Sequence, residues 1–336
     1  MPGDREQANA QETVLRRSGS KAPAPGLHFD IGADKYHEDP CDVPSLSSSI
    51  AGTICNYSPL HAYSQHPKLG GRAKKRTSAM DGGTLIHALL LDAGRNIVSV
   101  PFDDYRTNAA KAARDEALAC GSIPVIAEKL DIARKVASNL EKRLRDDFGI
   151  VFNGKSEVVA IWHERGAFGP VVCRAMLDHV FPDAGIIFDL KTSADARPRS
   201  CSRSAVEYGY AIQHAAYTSA LQTLRPELVG RVKMSLVFAE LEAPYAVTPC
   251  VLSAELAELG QLQWRRAVRT WEQCLREDTW PGYTTGRAVL DCPSWAMTAE
   301  LEFHEEGQEL DESEPARVAP AAPEYSERDY ADDSLF

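Results

Sequence analysis

The densest run of chemically capable side chains lies between Arg174 and Tyr217. Asp178 and Asp189-Leu190-Lys191 sit on two apolar runs, Val171 to Phe181 and Ile186 to Lys191, joined by the turn-forming Pro182-Asp-Ala-Gly185. Two adjacent strands with so short a turn bring Asp178 near Asp189. The strand period of two puts Asp189 and Lys191 on one face, with Ile186, Phe188 and Leu190 on the other. Two carboxylates and an ammonium on one patch of a buried sheet are costly unless something compensates them. A hard divalent cation held by carboxylate oxygens is one solution, and Mg2+ or Mn2+ suits such ligands better than Zn2+. A salt bridge on a half-exposed strand, or a solvated hairpin, is the alternative.

Other candidates are weaker singly. His87, in Gly83-Thr-Leu-Ile-His87, interrupts an otherwise apolar helix, where a satisfied core histidine is the bland reading. Gly83 lies one turn earlier on the same face and permits close approach of a backbone or ligand. Gln213 and Tyr217 stand at i and i+4 and face the same way. Glu157 opens a strand, and Arg174 shares a strand face with Asp178. Arg72-Ala-Lys-Lys-Arg76 is a basic loop whose default is solvation.

The elements that must carry these residues can be read in order. Ser45-Leu-Ser-Ser-Ser-Ile-Ala-Gly and Ser58-Pro-Leu-His-Ala-Tyr-Ser-Gln begin short helices with serine caps available, the second with Pro59 in its first turn. Asp81 to Asp92 is a buried helix, and residues 105–147 are helical with a break at Gly121 to Pro124. From Glu157 the period changes to two: strands at Glu157 to Trp162, Val171 to Phe181 and Ile186 to Lys191. A helix at Ser204 to Leu224 follows, then strands at Lys233 to Ala239 and Tyr245 to Leu252, then a helix at Ala254 to Arg276. This order predicts an α/β fold, a mixed sheet with helices on its faces.

The chain has 336 residues and a net charge of −11. Acidity argues against a nucleic-acid partner, because phosphates repel it. The charge is uneven, however. Residues 305–336 hold 11 acids against Arg317 and Arg328, a net of −9, which leaves the body near neutral at −2. Residues 1–27 and 305–336 have the composition of disordered ends, the second acidic. The acidic tail closes on Asp332-Asp333-Ser-Leu-Phe336, similar to the C-terminal tips of single-stranded-DNA-binding proteins. Between the ends the expectation is one domain, 28–304, with a helical part at 45–150 and a sheet core at 151–290. No apolar run is long enough for a membrane helix, and Met1 to Gly26 lacks the apolar segment of a secretory leader, so a cytoplasmic protein is expected. The eight cysteines include no CxxC pair, which leaves zinc-ribbon and iron–sulfur readings without support and predicts free, mostly buried thiols. No phosphate-cradling GxxxxGK[ST] or GxGxxG occurs.

Taken together, Gly83-x-x-x-His87, Arg174-Ala-Met-Leu-Asp178, Ile187-Phe-Asp189-Leu-Lys191-Thr192 and Gly209-Tyr-x-x-Gln213-x-x-x-Tyr217 resemble the PD-(D/E)xK nuclease superfamily. The resemblance is to its phage and prophage exonuclease VIII (RecE-type) branch, related to lambda exonuclease and RecB-type nuclease domains, and spans about residues 40–290. The usual proline before the first aspartate is absent, since Leu177 precedes Asp178. The resemblance implies a restriction-endonuclease-like mixed β-sheet flanked by helices, with a helical N-terminal extension. It implies Mg2+, with Mn2+ as a possible substitute, held by His87, Asp178, Asp189 and the carbonyl of Leu190. Lys191 would orient or deprotonate the attacking water, and Glu157 would hold a second metal or a metal-bound water. Gln213 and Tyr217 would fix the scissile phosphate and the Lys191 side chain, while Arg72, Lys74, Lys75, Arg76 and Arg174 are candidates for DNA backbone contacts.

The implied activity is a Mg2+-dependent exodeoxyribonuclease that digests linear double-stranded DNA from its ends, 5′ to 3′, in phage-type recombination within a bacterial host. Its implied partners are a single-strand annealing protein or a single-stranded-DNA-binding protein, and further copies of itself in a homo-oligomer. The alternatives are an endonuclease or end-processing nuclease of the same fold, and a non-catalytic DNA-binding recombination scaffold. The intact Asp178, Asp189 and Lys191 set argues against the last.

Overall fold

The computed structural model describes residues 22–71, 82–91, 97–120, 122–284 and 286–308. The chain divides into two compact units, Met1–Thr285 and Gly286–Phe336. In the first, the elements run β1 (Gly26–His28), α1 (Ala33–His37), α2 (Ser48–Asn56), α3 (Pro59–Gln65), α4 (Gly82–Leu90), β2 (Ile97–Val100), α5 (Asn108–Ala119), β3 (Ile123–Ile126), α6 (Ala127–Phe148), β4 (Lys155–Arg165), β5 (Pro170–Phe181), β6 (Ile186–Thr192), α7 (Pro198–Glu207), α8 (Tyr210–Leu224), β7 (Lys233–Ala239), β8 (Val247–Cys250) and α9 (Ala254–Glu277). The second unit contributes α10 (Ser294–Gln308).

Six strands form one mixed sheet in the order β1-β4-β5-β6-β7-β8. The β6–β7 pair is parallel and its other neighbours pair antiparallel. A parallel pair needs a crossover, and α7 and α8 supply it. One face carries Val158, Ala160, Trp162, Ala175, Leu177 and Ile187, packed with α2, α8 and α9 into the largest core. Phe188, Leu190 and Val237 turn to the opposite face and pack with Leu85, Ile86 and Leu90 of α4 and Leu130 to Leu144 of α6. On that side of β4, Val159 and Ile161 meet Ile31 and Tyr36 of the N-terminal segment. The alternation predicted for β6 therefore holds: Leu190 and Phe188 face one core and Asp189 the other. Among the described residues no helix is long and apolar enough to cross a membrane.

The start signals work as the sequence predicts. Ser47 caps α2 through a bond from the Ile50 amide, and Ser58 caps α3 with Pro59 behind it. Several elements differ from the sequence reading. Where the sequence predicts a break, Ile123–Ile126 form the strand β3, which pairs in parallel with β2 as a separate two-stranded sheet. A strand of four residues containing Pro124 is too short and too irregular to show a period. The single helix predicted over 204–224 is two helices, because Gly209 adopts a left-handed φ of 71° that ends α7 and starts α8. The ends also differ. Gly26 and Leu27, placed in the disordered arm, pair with Ile161 and Ala160 of β4. The first compact unit stops at Thr285, short of the expected 304, and α10 crosses the expected boundary at 305. All eight cysteines are free thiols, with Cys41, Cys173, Cys201 and Cys274 buried.

Close packing of α8 against α9 depends on Gly260, where an added Cβ would collide with the backbone carbonyl of Ala211. Backbone cannot give way as a flexible side chain can. Gly260→Ala is therefore expected to destabilise the fold by about 1–3 kcal/mol, read as a lower urea midpoint with an unchanged slope.

Candidate active site

β5 and β6 pair only from His179↔Phe188 to Phe181↔Ile186. The next step of that register brings Asp178 opposite Asp189, where the ladder stops and the strands part. Asp178 also marks a break in alternation: Cys173, Ala175 and Leu177 enter the same core as Val180, which has the other parity. Across the sheet the flanking pairs Ser156↔His179 and Val158↔Leu177 place Glu157 level with Asp178. Glu157 has a left-handed φ of 50°, so β4 kinks at the same level. Both faces of the sheet can thus contribute side chains to one point.

Asp178 Oδ2 accepts the Leu190 amide N–H at 3.0 Å and lies 3.0 Å from His87 Nε2. His87 is therefore not a core histidine; α4 delivers it to the sheet from the opposite face. Asp189 is fully buried. Its Oδ1 accepts Gln213 Nε2–H at 2.7 Å and its Oδ2 lies 2.5 Å from Lys191 Nζ. Lys191 Nζ in turn donates to Gln213 Oε1 at 3.0 Å and stands 4.4 Å from the centroid of the Tyr210 ring. Gln213 thus locks the acid and the amine with its two ends. The lock works because strand spacing puts Asp189 and Lys191 on one face and α8 covers that face.

The charges are tuned by this crowding. Burial, reinforced by the Asp178 carboxylate, pushes Asp189 up to about 6 against the pull of Lys191. Asp178 is largely but not fully buried, which opposes its charge, yet the His87 hydrogen bond and charge hold it below the usual carboxylate range. Burial disfavours charged His87 and Lys191 as well. The acids around them win in both cases, and both groups stay protonated to higher pH than usual.

A neighbouring relay fixes the scaffold. Gly154 N–H donates to His179 Nε2 at 2.9 Å, which leaves the proton on Nδ1 to face Ser156 Oγ at 2.9 Å. Ser156 Oγ donates to the carbonyl of Leu91 at 2.5 Å, just beyond α4. This relay joins β4 and β5 to the helix that carries His87. Burial lowers His179 to about 4, so it acts here as a neutral spacer.

Two site candidates have other roles. Tyr217 is buried, and its hydroxyl donates to the Met176 carbonyl at 2.8 Å, so it braces β5 just before Asp178. Arg174, expected at the DNA backbone, is only 4% exposed. Its Nη1 donates to Ser45 O at 2.6 Å and Ser45 Oγ at 2.7 Å, lies 3.3 Å from Asp39 Oδ2, and its guanidinium covers the Tyr36 ring. Asp39 also accepts from the Ser45 amide and hydroxyl at 2.8 Å each and contacts His66 at 3.2 Å. A buried arginine needs such an anion, and Asp39 supplies it from far upstream. Arg72, Lys74, Lys75 and Arg76 lie outside the described residues. Tyr210, under Lys191, stands in the Gly209-Tyr-x-x-Gln213 pattern, where the sequence assigns it no role of its own.

Among the described residues, no group of three His, Cys, Asp and Glu side chains stands arranged around a cation position. His87 and Lys191 instead occupy the two aspartates. The donor set still suits a hard cation: carboxylate oxygens, an imidazole and a nearby glutamate, with the main chain of Leu190 in contact with Asp178. Asp189 Oδ2 is fully buried with the Lys191 ammonium 2.5 Å away and takes no other hydrogen bond among the described residues, which leaves it a lone pair for a cation.

The PDDEXK-like domain of unknown function (DUF3799) matches residues 56–290, which include Asp178, Asp189, Lys191 and Gln213. The chain belongs to this family. A crystal structure of a candidate exonuclease from Eubacterium rectale superposes on this PDDEXK-like chain with a TM-score of 0.50 at 14% identity, covering 84% of this chain and 98% of the other. At that identity the likeness shows a shared fold. A second solved structure, SSO0001, covers 62% of the PDDEXK-like chain and 100% of its own at 16% identity, with a TM-score of 0.24 that carries no argument. No curated protein matches the chain. The mixed sheet flanked by helices is the architecture expected of a PDDEXK-like fold, restriction-endonuclease-like in its layers.

Proposed function

We propose that this PDDEXK-like protein is a Mg2+-dependent exodeoxyribonuclease that digests linear double-stranded DNA from its ends, 5′ to 3′, in phage-type recombination. The observation that carries the reading is the convergence of Asp178, Asp189 and Lys191 where β5 and β6 part, with Asp189 Oδ2 buried against the Lys191 ammonium. The fold shared with the Eubacterium rectale candidate exonuclease agrees with it.

His87, Asp178, Asp189 and the Leu190 carbonyl are the groups to hold Mg2+, with Glu157 beside them. When bound, the cation polarises a phosphoryl oxygen and acidifies a water. Lys191 brings a fixed positive charge, held by Gln213, to the place where charge accumulates on the reacting phosphate. It also orients the attacking water toward phosphorus and supports loss of its proton. Gln213 keeps Lys191 from swinging away when the substrate arrives, which preserves its position at no cost in reorganisation. His87 holds Asp178 by hydrogen bond and charge, and Tyr217 fixes the strand beneath it. Partners consistent with this reading are a single-strand annealing or single-stranded-DNA-binding protein, and further copies of the chain.

The test is a comparison of substrates. With Mg2+, linear duplex labelled at either 5′ end is expected to lose its label first, while covalently closed circular duplex persists. Nicking or linearisation of the circle at a comparable rate would replace the exonuclease reading with an endonuclease one.

A further inference from the structure

Directly beyond Lys191 the chain turns into α7, and the structure holds there a cavity of about 620 Å³ lined by Asp195, Arg197, Arg199, Ser200 and Arg203. Three arginines on one cavity of a net-acidic chain are unusual enough to need a reason. One of them is already used. Arg197 grips Asp195 with Nε at 2.9 Å from Oδ1 and Nη2 at 2.7 Å from Oδ2, and Ser200 Oγ donates to the same carboxylate at 2.6 Å. Asp195 and Arg197 therefore neutralise each other and rigidify the entry to α7. Arg199 and Arg203 are different. Both are exposed, and neither forms an ion pair among the described residues. They stand at i and i+4, so their side chains lie on one face of α7, one turn apart.

The far end of α7 returns to the catalytic groups. Tyr208 follows its last residue and is 65% exposed. Its ring lies 5.9 Å from that of Tyr210, which in turn lies 4.4 Å from Lys191 Nζ. Tyr208, Tyr210 and Lys191 thus form one contiguous set at the far end of α7, and the cavity with its two unpaired arginines lies at the near end of the same helix. Guanidinium groups pair with phosphate oxygens through their planar fork, and an exposed ring offers a face to a base.

We infer that α7 guides the substrate strand: Arg199 and Arg203 bind successive phosphodiesters of DNA in the cavity, and Tyr208 stacks a base beside the bond that meets Lys191. The inference rests on the nuclease reading above and adds a backbone-binding site distinct from the basic loop at 72–76.

The test is equilibrium binding of a fluorescent duplex with a single-stranded end, in EDTA so that nothing is cut, across a salt series. Each phosphate contact contributes about 0.9 to the slope of log affinity against log salt. The double variant R199A/R203A is expected to reduce that slope by about 2 and to weaken binding at 0.1 M salt by about 50-fold. Its thermal midpoint should match wild type, because both side chains are exposed. Tyr208→Ala should weaken binding of the single-stranded end about tenfold. R265A/R269A, on the exposed surface of α9, removes the same charge and should leave the slope unchanged. A slope and affinity for R199A/R203A within twofold of wild type, or an equal loss in the α9 control, would overturn the α7 site while leaving the nuclease reading intact. Absence of DNA binding by the wild-type chain would overturn both.

Discussion

Lys191→Ala is expected to lower Mg2+-dependent DNA digestion by about 10³-fold or more while the protein stays folded. The estimate combines a lost electrostatic contact to the reacting phosphate with a lost water-orienting group, each commonly contributing about 10²-fold or more. Retention of fold follows from where the side chain lies. Lys191 is near the end of β6, and its ammonium bonds only site groups, Asp189, Gln213 and the Tyr210 face. The variant does leave Asp189 without its cation, but with a pKa already raised to about 6 Asp189 takes up a proton readily, which relieves the buried charge at modest cost. Initial rates on linear duplex, read beside a thermal melt, separate the two quantities. Wild-type rates from a folded Lys191→Ala protein would remove Lys191 from the chemistry.

The second large effect is on stability and concerns a residue that the sequence placed at DNA. Arg174→Ala is expected to destabilise the fold by about 3–5 kcal/mol, because it strands a buried carboxylate. Asp39 is buried, and its hydrogen bonds with His66 and Ser45 and the charge of Arg174 outweigh the burial penalty and keep it ionised. Removal of the guanidinium also opens the space over Tyr36 and takes from Ser45 O one of its two partners, leaving His66 Nε2. Urea denaturation measures the loss. A folded variant of unchanged stability but weakened DNA binding would return Arg174 to the interface.

These two residues show how far the sequence reached. Lys191 and Asp189 were legible because a period of two is a local property: once Ile186 to Lys191 reads as a strand, their shared face follows. Asp178 followed from the short turn that joins its strand to theirs. His87 was legible as an oddity on an apolar helix, and its partner emerged only when α4 was placed on the sheet. Gln213 followed from its position on α8 one turn from Tyr217, although the two side chains do different work. Tyr217 looks like a phosphate ligand in one dimension and is a strut in three, since its hydroxyl finds the Met176 carbonyl first. Arg174 shares parity with Asp178, which suggested a common surface, but the N-terminal segment carrying Tyr36, Asp39 and Ser45 covers that part of β5. Such long-range cover leaves no periodic trace. The same holds for β1 and β3, whose three and four residues are too few to show a pattern.

A net charge of −11 discourages a DNA partner only if it is spread over the folded body, and −9 of it belongs to residues 305–336. The body also leaves Arg199 and Arg203 exposed without an ion-pair partner among the described residues, so a chain of negative total charge still carries a local basic patch.

The central claim is that Asp178, Asp189 and Lys191 form a metal-dependent nuclease centre. Its most direct test is the release of acid-soluble nucleotides from uniformly labelled linear duplex by the wild-type chain, with Mg2+ and then with excess EDTA, alongside Asp189→Asn. The account predicts release with Mg2+, its loss in EDTA with recovery on added Mg2+, and none from the variant; equal release in EDTA, or from folded Asp189→Asn, would contradict it.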